Sequence, residues 1–562
     1  MRRVRAALLG SYTTTQLGRL LLSLAADRGI ELELYEGAFG QYAQELLDPA
    51  SGLHSFQPQV VILALHEGAL QLPDLSSDPE AALEAELARW RQLWSAAEHA
   101  GARIVQHTFA VPAIQPFGHL AGRLASRRTL TLALNARLMR DAPPTVAFVD
   151  CDLLSSLHGK LTWFDDRYWY LARQAVSPEA LPILADQTLA VLAAAVGLSR
   201  KCIVLDLDGT LWGGVIGEVG LAGIELGSGP SGEAYSDFQT YLLGLKNKGI
   251  LLAVVSKNNE SEARLPFDRH PDMRLRLEDF AAFIVNWNDK AGNIRALADQ
   301  LELGLDSLVF IDDNPAERAL VRELLPEVDV IDLPPDPAGY ARALAAYSGL
   351  ETAAITQEDR DRTDQYRARA AAREFAARAS NLEEFLSGLE MSAMTAPFDE
   401  FHLPRIAQLI SKTNQFNLTG RRRGLPELRA LIDSQEYLHL FLKLRDRFGD
   451  HGLVSSVIAH IEGDAAVIDT FVMSCRVIGR TVEAELLAQL GQAAAARGCR
   501  FLRGTFVPSG RNQLVKDLYA RFGFERVSEE DGVTSWQYDL DSGPIESRFI
   551  GRWQELEPAT AR

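Results

Sequence analysis

The sequence predicts an α/β protein of several domains built on parallel sheets. With 562 residues the chain is too long for one hydrophobic core. Short apolar runs alternate with helical stretches, as buried strands of parallel sheets do. Several of those runs end in acids, hydroxyls or lysine, the groups that open α/β sheets gather at their carboxyl edge.

Apolar runs at Val4–Leu9, Val60–Leu65, Ile104–Phe109 and Val146–Val149 read as buried strands, with helices over Glu80–His99 and Pro178–Val196. A second α/β unit follows, with a strand ahead of Asp206, a helix over Gly232–Lys248 and a strand at Leu251–Val255. A helix over Ala291–Gln300 and a strand at Leu308–Ile311 complete it. The Ala/Arg-rich stretch Arg360–Arg378 reads as a charged linking helix. From about Met391 the pattern becomes α+β: strands at Phe441–Leu444, Val454–His460 and Ala466–Phe471, a helix over Val482–Arg497, a strand at Arg500–Phe506 and a helix over Arg511–Phe522. The expected division is 1–197, 198–350, a linker 351–390, a domain 391–545 and a tail 546–562, loosely held for want of periodicity.

A net charge of -18 argues against a general nucleic-acid binder or a membrane-surface protein. The four cysteines are scattered without a C-x-x-C pair, so neither a zinc ribbon nor a disulfide framework is expected. No apolar stretch reaches about twenty residues, and Val4–Gly10 is too short for a signal-peptide core, so a cytoplasmic protein is expected.

The most informative stretch is Val204–Trp212, V-L-D-L-D-G-T-L-W. Residues i and i+2 of a strand face the same way, so Asp206 and Asp208 enter one cavity at the strand's end. One acid can attack while the other moves protons, or both can hold Mg²⁺. Ser256-Lys257-Asn258-Asn259, Trp287-Asn288-Asp289-Lys290 and Asp312-Asp313-Asn314-Pro315 follow, each at a strand end or helix start. Phosphoryl transfer needs a nucleophile, a donor and a cation for the phosphoryl oxygens, and acids for a metal. This order resembles the haloacid dehalogenase (HAD) superfamily, a central doubly wound parallel (Rossmannoid) sheet. The resemblance implies Asp206 as nucleophile, Asp208 as acid/base, Ser256 and Lys290 on the phosphoryl group, and Mg²⁺ on Asp206, Asp208, Asp312 and Asp313.

The intervals between these motifs are too short for the cap domain that usually covers such sites; the glycine-rich Gly213–Pro230 suits a short flap. The wider run, with Lys201-Cys202-Ile203, Trp212-Gly213-Gly214-Val215-Ile216-Gly217-Glu218, His270-Pro271, Asn286-Trp287 and Asp312–Arg318, resembles the FkbH-like proteins (HAD subfamily IIIC) of polyketide and hybrid peptide–polyketide biosynthesis. That resemblance implies removal of phosphate from 1,3-bisphosphoglycerate, a small phosphorylated three-carbon substrate, and delivery of the glyceryl unit to a phosphopantetheinylated acyl carrier protein. Acyl transfer through the enzyme needs a thiolate. Many relatives carry cysteine where this chain has Leu207 and Ile216. The acyl group then travels on Cys202, on another cysteine or on the carrier's thiol, or the chemistry stops at phosphate removal. Cys202, opening a strand, is expected to be a small core residue.

In the last domain, Phe471–Arg480 runs from a strand through a loop into a helix, where backbone N–H groups form a phosphate site. With Asn512, Tyr519 and Gly523-Phe524 this resembles a GNAT-type acyltransferase. Arg476, Gly479, Asn512 and Tyr519 would then bind an acyl group or a pantetheine arm, although Thr481 stands where glycine or alanine is usual. The triplet Arg421-Arg422-Arg423 is expected either to be a solvated turn or to dock an acidic carrier. Near the start, Leu9-Gly10-Ser11 resembles the SGNH hydrolases, but Trp163–Trp169 lacks the closing histidine, so this domain is expected not to be catalytic. A plain phosphatase and a carrier-docking scaffold are the alternatives to the carrier-loading enzyme.

Overall fold

A strand apolar at every position must be covered on both faces. The computed structural model, which describes residues 1–353, 363, 366–368, 375, 381–413, 415–474, 477–509, 512–530 and 532–553, meets that condition with two parallel sheets. The first comprises β1 (Arg2–Gly10), β2 (Ile30–Glu36), β3 (Val60–Ala64), β4 (Arg103–His107) and β5 (Val146–Val149), in the order β2-β1-β3-β4-β5. β2 is absent from the predicted strands because it lies at the sheet edge and carries Glu31, Glu33 and Glu36 instead of a continuous apolar run. The helix Leu181–Ala195 is apolar on nearly every side and almost wholly buried, as an all-round apolar helix must be.

The second sheet comprises β6 (Cys202–Leu205), β7 (Leu251–Ser256), β8 (Phe280–Val285), β9 (Leu308–Asp312) and β10 (Asp329–Asp332), in the order β10-β9-β6-β7-β8, again parallel. β6 is central and wholly buried, so its carboxyl end opens at the middle of the sheet edge. Both sheets belong to one compact unit, Met1–Thr363. Arg28 joins them, pairing with Asp186 and donating to Ser348 Oγ (2.6 Å), which itself donates to Asp186 (2.8 Å). Gln187 and Lys248 both bond Glu351, at 3.1 Å each.

The second unit, Asp364–Arg562, holds a mixed eight-stranded sheet. Its strands are β11 (Met391–Ala396), β12 (Tyr437–Asp446), β13 (Gly449–Glu462), β14 (Ala465–Met473), β15 (Phe501–Phe506), β16 (Glu525–Glu530), β17 (Val533–Asp539) and β18 (Ile550–Arg552). The order is β16-β17-β15-β14-β13-β12-β11-β18, with β14 and β15 parallel across the helix Val482–Ala496. Alternation along β12 sends Leu440, Leu442 and Leu444 to the core shared with that helix and Phe441 to the core under Leu403–Lys412 and Leu425–Ile432.

Two expectations need correction here. The last helix is a 3-10 turn at Gln513–Val515 and a short helix Leu518–Arg521, because Asn512 and Asp517 leave helical geometry. The tail supplies β18, parallel to β11. Most of the expected linker, Arg476, Cys475 and 554–562 lie outside the described residues. Among the described residues no helix is long and apolar enough to cross a membrane.

At the β12–β13 turn Asp446 is fully buried between His451 (2.8 Å) and Arg480. Despite desolvation, His451 and Arg480 hold its carboxyl below the ordinary range. Asp446→Asn should destabilise the second unit by about 3 kcal/mol, since it removes the buried negative charge that His451 and Arg480 share. A folded value below the unfolded one adds stability above about pH 3.9 and loses it as pH falls through the folded value. Denaturant unfolding of both proteins should therefore show a gap at pH 7 that narrows in strong acid.

Candidate active site

Strand register builds the site. Leu205 pairs with Ile311, so Asp206 and Asp312 leave β6 and β9 side by side, and Asp206 N–H donates to Ile311 O at 3.0 Å. Carboxylate oxygens of Asp206, Asp312 and Asp313 lie within 4.8 Å of one another. Lys290, the first residue of the helix Lys290–Leu301, places Nζ 3.0 Å from Asp206 Oδ2 and bonds Asp312. Burial and then Asp206 raise the Asp312 carboxyl to about 6, against the pull of Lys290. Burial, again followed by Asp206, raises Asp313. Burial pulls the Lys290 ammonium down, but Asp206 and Asp312 more than offset it. Ser256 ends β7 beside them and is buried.

Asp208 has a different environment. Its Oδ1 accepts from the Trp212 indole N–H (2.8 Å) and the Ile216 N–H (3.1 Å), and its Oδ2 from the Asn258 amide (2.8 Å). Burial raises its carboxyl while these donors oppose the rise. Asp208 is not in the close carboxylate group, so the structure brings together three of the four expected metal ligands. That trio suits a divalent cation: its donors are hard oxygens, and Asp206 Oδ1 is buried without a partner among the described residues.

The turn that joins these groups strongly favours glycine at 209. Its φ is +71°, and a Cβ there would stand 2.4 Å from Asp313 Oδ2. Tyr235 and Tyr340 hydroxyls donate to Gly209 O at 3.3 and 3.0 Å, and Arg318 donates to the Asp312 and Asp313 carbonyls at 2.7 Å each. The sequence offers a partial signal for two of these supports: Asn258 follows Ser256 by two residues, and Arg318 closes the Asp312 motif. Among the described residues neither interval between the motifs holds a folded insertion; the flap is the one-turn helix Ile216–Val219 and a bridge between Gly213 and Glu225.

Leu207 and Ile216 are both buried in the core. Cys202 is fully buried at the opposite end of β6 from the acids, paired with Leu251 and Leu308, and burial pushes its thiol up. The structure does not bring Cys202 to the site: it stands in the core, as a residue opening a strand is expected to, and away from the place that a thioester role would need.

In the second unit β14 and β15 pair from Ala465–Phe501 to Ile468–Gly504 and then part. The gap is filled by Phe416–Leu418: Leu418 N–H donates to Phe471 O, Met473 N–H to Phe416 O and Val507 N–H to Leu418 O. Asn512 spends its amide on Asn417 O and Val507 O, both at 2.9 Å. Tyr519 is wholly buried, its hydroxyl without a partner among the described residues, and burial raises its phenol. The functional atoms of Asn512 and Tyr519, expected to meet an acyl or pantetheine arm, are thus enclosed. Gly479 does take a left-handed turn (φ +82°), but the buried Glu483 puts a carboxylate in the first turn of the following helix. Arg421 and Arg423 both pair with Asp469, and Arg422 bonds Ile410 O, so the arginine triplet is engaged within its own unit. In the first sheet, Ser11 Oγ accepts from the His66 backbone N–H (2.8 Å), while Asp165 caps a helix; among the described residues no histidine side chain is bonded to Ser11.

A family model described as the FkbH N-terminal domain matches residues 5–193. The N-terminal part of the protein BF1531 from Bacteroides fragilis, containing a phosphatase domain complexed with Mg, is 34% identical with a TM-score of 0.58, over 63% of this chain and 96% of that one. The ribosomal-protein-S18-alanine N-acetyltransferase of Escherichia coli (15% identical, TM-score 0.21, 28% of this chain and 96% of that one) and the GNAT domain of S. lividans PAT (18%, 0.22, 26% and 90%) are likenesses too partial to argue from. No curated protein matches.

Two measurements check these placements. Cys202→Ala should keep its phosphate release and lose about 1 kcal/mol of stability, a core effect alone; a dead but folded variant would return Cys202 to the chemistry. Calorimetry with acetyl-CoA should give no isotherm, because Phe416–Leu418 holds the strand edges an extended ligand would need. Micromolar binding would mean that this segment leaves the gap.

Proposed function

The chain belongs to the FkbH-like family, and from that premise we propose that it is a Mg²⁺-dependent phosphotransferase that removes phosphate from 1,3-bisphosphoglycerate and loads the glyceryl unit onto an acyl carrier protein. The observation that carries the reading is the trio Asp206, Asp312 and Asp313 with Lys290 bound across two of its members. Mg²⁺, on these carboxylates, would neutralise the charge of the incoming phosphoryl group.

Asp206 attacks the phosphorus of the C3 phosphate ester through one carboxylate oxygen, its other being left for the cation. The bond from phosphorus to the C3 ester oxygen breaks as Asp208, whose carboxyl burial favours the protonated form, gives that oxygen its proton. Asp208 then takes a proton from the water that releases phosphate. Lys290 and Ser256 meet the phosphoryl oxygens. With Leu207 and Ile216 in place of thiols, the carrier's own thiol gives its proton to water and attacks the acyl carbon of the intact C1 acyl phosphate, whose acyl–oxygen bond breaks to release the second phosphate.

Those two apolar residues also favour a second reading, a phosphatase that stops at phosphate removal. Mass spectrometry of the carrier after incubation with enzyme, Mg²⁺ and 1,3-bisphosphoglycerate separates the two. Carrier heavier by one glyceryl unit is the expected product; free phosphate with unmodified carrier selects the plain phosphatase. Asp206→Asn should cut phosphate release by at least about a thousandfold, since an amide is a poor nucleophile. Wild-type turnover by that variant would refute the phosphotransfer assignment itself.

A further inference from the structure

Trp287 is 70% exposed, yet its position is fixed. The indole Nε1 donates to Asn259 Oδ1 at 3.0 Å, and the Asn259 amide in turn donates to Glu262 at 3.0 Å. Asn259 adjoins Asn258, whose amide holds Asp208. Three residues after Trp287, Lys290 reaches Asp206. The indole thus bridges the loops after β7 and β8, the two that deliver groups to the carboxylate site. Facing the same edge is the flap, whose Ile216 N–H holds Asp208 and whose Gly217 lies against Glu262. The flap exposes Val215 and Val219. The loops and the flap that hold Asp208 and Lys290 therefore carry an exposed indole and two exposed valines. Lys257, also on the loop after β7, is paired with Glu317.

We propose that Trp287 selects the acyl acceptor by seating the pantetheine arm of the carrier at the mouth of the site. The inference rests on the carrier-loading reading. A glyceryl unit and its phosphates are polar throughout and gain nothing from an exposed indole. A pantetheine arm has two amides, whose planes stack on an aromatic face, and a pair of geminal methyls that suit the valines. Since Leu207 and Ile216 supply no thiol, the acceptor's thiol must itself reach the acyl carbon, and the arm that carries it has to cross this edge.

The test uses the full chain with Mg²⁺ and the variants Trp287→Ala and Trp287→Phe. The alanine variant should raise KM for the pantetheinylated carrier about tenfold, the size expected from losing one aromatic contact, while hydrolysis of p-nitrophenyl phosphate falls by less than about threefold. The phenylalanine variant, which keeps the ring but loses the bond to Asn259, should stay within about twofold of wild type in carrier KM. An unchanged carrier KM in the alanine variant overturns the proposal. Parallel loss of loading and p-nitrophenyl phosphate hydrolysis also overturns it, because Trp287 would then act only by positioning Asn258 and Asp208. Should the wild-type enzyme load no carrier, the reading of the previous subsection fails by itself. Titration with free pantetheine then decides: binding that Trp287→Ala abolishes upholds the arm seat, and no binding by the wild type removes it.

Discussion

Crowding of like charge at the end of β6 governs the first unit. Two carboxylates about 4 Å apart repel by about 4 kcal/mol at an effective dielectric constant near 20. Here three share one edge against the Lys290 ammonium, with the Arg318 guanidinium acting on Asp313. Such a group persists only if the backbone beneath it cannot relax. β6 is therefore buried and central, Gly209 gives Asp313 room that a side chain would deny, and Tyr235, Tyr340 and Arg318 pin the carbonyls of both turns. The negative charge left over is what a divalent cation would satisfy.

The same crowding separates Asp206 from Asp208. Two residues apart in sequence, one is bound to an ammonium and keeps an unpartnered oxygen. The other is held at both oxygens by neutral donors and raised by burial. Environments that drive two neighbouring carboxyls apart are how one site holds a nucleophile and a proton donor together. Trp212 and Asn258 are thus as much a part of the proposed chemistry as the acids they hold.

The legible parts of the chain share one physical property. Strands buried on both faces are continuous apolar runs, so β1, β3, β4, β5, β7 and β9 are read nearly to their ends, and the polar residue that stops each run marks the carboxyl edge. Of the edge strands, β2, β16 and β18 escape because they have no continuous apolar run to announce them, whereas the apolar edge strand β5 is read and the apolar edge strand β8 is not. Within the site the acids, Ser256 and Lys290 are legible as residue types at strand ends. Their fine arrangement is not. Asp208 leaves the carboxylate group because Asn258, fifty residues away, bonds it, and only the folded register shows that. Asn512 and Tyr519 mislead for the same reason: insertion of Phe416–Leu418 between β14 and β15 encloses them, and no local pattern records a pairing of that range.

Thiol placement ties the chemistry together. Cys151, Cys202 and Cys499 are buried, and burial raises each thiol away from the thiolate that acyl transfer needs. Leu207 and Ile216 fill the positions nearest Asp208 with core side chains. Among the described residues, then, the first unit has machinery suited to phosphate and no thiol suited to an acyl group. If acyl transfer occurs at this edge, the nucleophile arrives with the acceptor, and selectivity moves from a covalent residue to the rim that the acceptor crosses. A fixed, exposed indole is the kind of surface such a rim needs, because it can grip a flexible arm without adding charge to a floor already crowded with it.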